Sequence, residues 1–161
     1  MSIAQPINDP SQFSSDMLRR TFVHWRNKAC GRIGPKRDEI NPQELKFALR
    51  WVWMWDVVDG GRDFHFRLGG ERIKSFMGDH AKIQRLSEFP PSEFSDEIRY
   101  VFRECVKTRM PLLVGPARTS FAPRSYLTVT NIVLPVSENY DDVTMLIGAV
   151  EAQEQGALVP A

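Results

Sequence analysis

Cysteine is scarce: Cys30 and Cys105 are the only two in 161 residues. They form no CxxC and no metal-ligand spacing, so neither a disulfide framework nor a thiolate metal site is encoded. Histidine is nearly as scarce. His24, His65 and His80 stand in no HxH or HExxH arrangement. Long apolar runs are missing too; none approaches the roughly 20 residues that a membrane-spanning helix needs. The N-terminus "MSIAQPINDP" has no apolar signal core. Nor does charge of one sign dominate. The formal net charge is +1, which argues against a partner recognised by charge over the whole surface. These absences point to a soluble protein of the reducing cytoplasm, with one domain long enough to bury its own core.

What is present is periodicity. From Ser14 or Ser15 a helix is expected through Cys30-Gly31, with Met17, Leu18, Phe22 and Trp25 at helical spacing and Asp16 in the first turn. Residues 1 to 13 read as a loose lead-in. "NPQE" opens a short helix from Asn41 to about Leu49, with Glu44 placed to reach back to the Asn41 amide. "WVWMWDVV" is aromatic and β-branched, hence a strand, and "DGG" turns it into a second strand over 62 to 68. Alternation puts Phe64, Phe66 and Leu68 on one face of that strand and Asp63, His65 and Arg67 on the other. Gly69-Gly70 breaks it, and "ERIKSFMG" is a short helix stopped by Gly78.

The longest helix opens at "PPSEF", with Phe94, Ile98, Val101, Phe102, Cys105 and Val106 as its apolar stripe. Strands follow over about 112 to 121, over 125 to 136, and in "VTMLIGAVEA"; the tail after 151 is expected to fray. The hairpin and the three-strand meander fit one five-stranded antiparallel sheet with helices on one face, an α+β fold. An N-terminal helical extension and loop over 1–40 precedes the domain at 41–151, and 152–161 is a tail.

This order resembles a PAS domain. The stretch "WVWMWDVVDGGRDFHFRLGGERIKSFMG" is similar to the single-domain PAS proteins common in alphaproteobacteria, on Phe66, Arg67, Leu68, Gly69, Gly70, Ile73 and Gly78. The lead-in resembles that family on Trp25, Gly31, Pro35, Ile40, Pro42 and Leu45. After Gly78 the family pattern continues with an "RDLTGR"-like stretch, where this chain has "DHAKIQRLSEF" and keeps only Arg85-Leu86. The resemblance implies a sensory or protein-interaction module, with a signalling protein or a small-molecule ligand as its partner; a homodimer is expected instead from the apolar stripe of the first helix. It names no cofactor. Residues 92 to 110 hold no histidine for an axial haem ligand, and nothing matches the "NCRFLQ"-like helix of flavin-binding light sensors.

The residues that would wall a ligand pocket between sheet and helices are Trp53, Trp55, Phe64, Phe66, Phe76, Phe102 and Val129; ordinary core packing is the plainer reading of such a set. Asn131, and Thr128 or Thr130, could offer hydrogen bonds inward, depending on the pleat register. Leu18, Phe22 and Trp25 would dock on the chain's own sheet or on a second copy.

No catalytic set is evident. The competing reading is a small cavity enzyme of hydrolase or isomerase type, using Asp56 or Asp63 with a histidine. It requires both groups to point into one cavity, whereas alternation puts Asp63 and His65 on the face away from the core. A third reading, nucleic-acid binding through the seven basic residues from Arg19 to Arg37, is weaker, because the stretch lacks dense basic runs. The Gly69-Gly70 pair, without GxGxxG or GK[ST], reads as a backbone device rather than a phosphate cradle.

Overall fold

The structure, a computed structural model, describes residues 4–118 and 127–154. Six strands form one antiparallel sheet: β1 (Ala4–Pro6), β2 (Val52–Val58), β3 (Asp63–Gly69), β4 (Leu112–Arg118), β5 (Leu127–Val136) and β6 (Met145–Glu154), in the order β1-β4-β5-β6-β2-β3. The helices are α1 (Asp16–Ala29), α2 (Glu71–Met77) and α3 (Glu93–Thr108), with short 3-10 turns between elements. The expected hairpin is β2-β3 and the expected meander is β4-β5-β6. They join because β2 pairs with β6, from Val52↔Ala149 to Asp56↔Met145.

Both faces of the sheet are covered. On one face α1 buries Leu18, Phe22 and Trp25 against Met54, Ile132, Leu134, Ile147 and Ala149. Trp25 donates its indole N–H to the Pro135 carbonyl at 2.7 Å, so the polar edge of the ring is satisfied inside the core. On the other face α2 and α3 place Ile73, Met77, Val101, Phe102 and Cys105 against Trp53, Trp55, Val133 and Leu146. Alternate residues of β2, β5 and β6 serve the two cores in turn, as period-2 side chains must.

Four expectations are corrected. The lead-in is not loose: Ala4–Pro6 adds a sixth, edge strand on Val114–Leu112, Ile7 is buried, and Asp9 with Gln12 caps a 3-10 turn. "AQP" carries no strand signal, and backbone pairing to an open edge creates it. Pro6 suits such an edge, where a missing N–H costs nothing. The helix expected from Asn41 to Leu49 is two 3-10 turns, Pro42–Leu45 and Leu49–Trp51. Glu44 there accepts from the Asn41 side-chain amide at 3.0 Å and lies 3.3 Å from the Lys28 ammonium, so no backbone capping box forms. The 79–90 segment, which reads from sequence as irregular with one further helical turn at most, holds two such turns, Gly78–Lys82 and Leu86–Glu88.

The fourth correction concerns β3. Its register steps from Trp55↔Phe66 to Met54↔Leu68, which leaves Arg67 as the extra residue of a β-bulge. The bulge turns Leu68 away from the face of Phe64 and Phe66 and leaves it 38% exposed. Gly69-Gly70 then works through closeness. A Cβ on Gly70 would lie 2.1 Å from the Leu49 carbonyl oxygen and 2.5 Å from the Arg50 backbone. The Gly70 N–H meanwhile binds the Val52 carbonyl at 2.8 Å. Backbone cannot step aside as a flexible side chain can. Gly70→Ala should therefore lower unfolding stability by about 1–3 kcal/mol, read as a reduced urea midpoint with an unchanged m-value.

α1 carries one titratable group into the interior. The His24 side chain is 8% exposed, Nδ1 lies 3.5 Å from Glu44, and Nε2 has no hydrogen-bond partner. Burial pushes the His24 pKa down, the Glu44 carboxylate opposes that, and the Lys28 ammonium reinforces it. Below the unfolded-state value of about 6.5 the unfolded chain takes up a proton that the folded chain resists. Stability should therefore be complete above pH 6.5 and decline as pH falls below it. Chemical denaturation at pH 7.5 and at 5.5 should show the loss, and His24→Gln should remove most of it.

Candidate functional site

Between the sheet and the pair α2/α3 lies a cavity of about 140 Å³. The sheet supplies Trp53, Trp55, Val129 and Asn131 among others, α2 supplies Ile73, Phe76 and Met77, and α3 supplies Ile98, Val101 and Phe102. Each wall follows from local sequence. The α3 stripe faces inward because its apolar residues recur at three and four; Ser92 and Ser95 cap the helix reciprocally, and Arg103 ties it to the hairpin loop through the Gly61 and Arg62 carbonyls at 3.2 Å each. Trp53 and Trp55 face the same way because they alternate with Val52 and Met54 of the opposite core.

The floor is built around Trp53. Its strand partner is Gly148, and a Cβ at Gly148 would fall 2.1 Å from the indole ring and 2.1 Å from the Ile132 carbonyl oxygen. The missing side chain lets the indole lie flat across β6. Its Nε1 then reaches Asn131 Oδ1 on β5 at 3.0 Å. Phe102 packs over both tryptophans at ring distances of 5.3 and 5.7 Å.

Of the pocket residues expected from sequence, Trp53, Trp55, Phe76, Phe102 and Val129 lie on the cavity wall. Phe64 and Phe66 stand one layer out. Phe64 is fully buried behind Phe102 at 5.2 Å, and Phe66 packs on Trp55 at 5.1 Å. The register aims Asn131 inward with Val129 and Val133, which puts Thr128 and Thr130 on the other face. Glu97 and Arg118 also line the cavity and were not anticipated. Glu97 could have been found three residues after Phe94 and four before Val101, on the flank of the stripe. Arg118 had no sequence signal, because it follows the register shift between Val114 and Ala117.

Leu18, Phe22 and Trp25 are spent on the chain's own sheet. The Asp/His pair of the competing reading does form: His65 Nδ1 lies 3.8 Å and Arg67 Nε 3.2 Å from Asp56. It sits with Val52 and Met54 on the α1 face, across the sheet from the cavity. Asp63 has a different task. Burial works against its charge, but the Ser87 hydroxyl at 2.7 Å and the Phe64 and Ser87 amides outweigh that and hold its pKa below the usual range. Along the basic stretch, Arg32 pairs with Glu39 at 3.0 Å and lies over Tyr140, and Arg20 lies over Phe47. Among the described residues no three His, Cys, Asp or Glu side chains converge on a metal site. No helix there is long and apolar enough to cross a membrane.

Residues 13–151 match the family model of the PAS domain. The match spans most of the chain, its six-stranded α+β sheet is consistent with that fold, and the chain belongs to the PAS domain family. PAS domains are sensory and regulatory modules and are generally not enzymes. No curated protein and no solved structure gives a significant match to the chain.

One thiol belongs to the site's supporting layer. Cys105 is fully buried on α3, its Sγ lies 3.3 Å from the Met110 carbonyl, and burial pushes its pKa far up. Cys30 is exposed at the end of α1. A thiol reagent at neutral pH should modify one cysteine, Cys30, in the native protein and the second only after denaturant is added. Mass spectrometry of the labelled chain reads this directly.

Proposed function

We propose that this chain is a sensory module whose signal is a small molecule held in the cavity beside Trp53, and whose output is contact with another protein. The observation that carries the reading is the cavity itself. Well-packed cores leave few voids larger than a water molecule, yet this one keeps about 140 Å³ walled by aromatic and aliphatic side chains. A mostly apolar space of roughly this size can take up benzene-sized guests. The domain of 41–151 supplies the sensing site, and the 1–40 extension shields the opposite face of the sheet.

The output surface lies elsewhere than the α1 stripe, which the chain's own sheet covers. A second copy or a signalling partner would therefore bind over exposed groups. Two free thiols suit the reducing cytoplasm. The enzyme reading has less support, because the Asp56–His65 pair faces away from the cavity.

Native mass spectrometry of freshly purified protein, beside its denatured mass, tests the proposal. The expected result is a discrete extra mass that is lost on denaturation. A bare mass, with no resonance of the Trp53 indole responding to small aromatic probes, would overturn it.

A further inference from the structure

Resting on the reading of the cavity as a ligand site, we propose that its ligand is a one-ring apolar molecule bearing a single neutral hydrogen-bond acceptor, held by the side-chain amide of Asn131. Size sets the first term. A cavity of about 140 Å³ accommodates one ring with a short substituent. The walls set the second, since Trp53, Trp55, Phe76 and Phe102 offer ring faces and edges.

Asn131 sets the third. An indole N–H only donates, so the 3.0 Å contact with Trp53 Nε1 fixes Oδ1 of Asn131 on that side. The amide cannot flip without putting two donors together. Its Nδ2 is then the group that Asn131 offers to the cavity it lines, and it makes no hydrogen bond among the described residues. A donor fixed in an apolar site selects for an acceptor, because a guest without one leaves that donor unpaired.

Charge sets the fourth. Among the described residues the lining carries one acid, the partly exposed Glu97, and one base, the exposed Arg118. Away from those two groups the walls are apolar, and an unpaired ion there is strongly disfavoured.

The test uses the full chain and two probes of one shape, acetophenone and α-methylstyrene, which differ by C=O against C=CH2. Proton–nitrogen NMR follows the indole N–H of Trp53 and the side-chain NH2 of Asn131. Both probes should bind saturably and shift the Trp53 signal. Acetophenone alone should move the Asn131 NH2 signals downfield.

Asn131→Asp, compared at pH 8 where the side chain is a carboxylate, keeps the oxygen that accepts from Trp53 and removes the donor. It should weaken acetophenone relative to α-methylstyrene by about three- to tenfold, the worth of one net hydrogen bond. Comparing the ratio between proteins cancels the probes' different affinities for water. If both probes bind but shift Asn131 alike, or if the variant weakens both equally, the acceptor proposal is overturned while the cavity reading stands. If neither probe binds, both fall. Should Asn131→Asp not fold, the Asn131 NH2 shifts in the unaltered protein decide.

Discussion

The indole of Trp53 lying on Gly148 is the contact on which the rest of this structure depends. One side chain starts on β2, crosses β6 where that strand has no side chain, and ends in a hydrogen bond on β5. It therefore pins the hairpin to the meander, two units that no sequence pattern joins. Burying a tryptophan removes about 200 Å² from water, worth about 5 kcal/mol at 25 cal/mol per Å². The N–H bond adds about 1 kcal/mol, and its larger role is to avoid an unpaired buried donor. The same ring is the floor of the cavity, so the element that closes the sheet also shapes the site.

The two cores differ in a way that follows from this floor. On the α1 face, aliphatic side chains from β5 and β6 meet Leu18, Phe22 and Trp25. Trp25 ties α1 to β5 inside this core through the Pro135 carbonyl, and beyond the ends of both elements the Ser137 N–H binds the Pro35 carbonyl at 2.9 Å. On the opposite face the large flat rings of Trp53, Trp55, Phe89 and Phe102 meet at tilted and edge-on angles. The cavity lies on this side of the sheet.

Helices and strands were legible in the sequence wherever periodicity decides them. The stripe from Phe94 to Val106 gave α3, and the alternation around Trp53 and Phe64 gave β2 and β3. What was hidden needed a partner to exist. β1 forms only because β4 offers an open edge, and the turn of Leu68 follows from a bulge at Arg67 that alternation alone places wrongly. In the site, the aromatic walls could be read from composition, whereas Asn131 waited on the register of β5. Gly148 was invisible for a related reason. A glycine in a strand signals close approach of something, but only the β2–β6 pairing says that the visitor is Trp53. Residues 119–126, where a strand was expected to end and a turn to begin, lie outside the described residues.

The three walls of the cavity are not equally held. The sheet wall rests on ten-residue strands paired along their length. α3 has sixteen residues, a reciprocal serine cap and the Arg103 tie to the hairpin loop. α2 has seven residues, and its N-cap Gly70 has no side chain to satisfy the first turn. A helix that short has little stability of its own and is kept by packing, here through Ile73 and Met77, both buried against the aromatic core. Those two side chains also line the cavity. α2 is also held from outside the cavity, where it packs on the turn Leu49–Trp51, Glu71 lies 3.9 Å from Arg50 and Arg72 lies over the Trp51 ring, so Ile73 and Met77 are the part of its hold that the cavity's contents would touch.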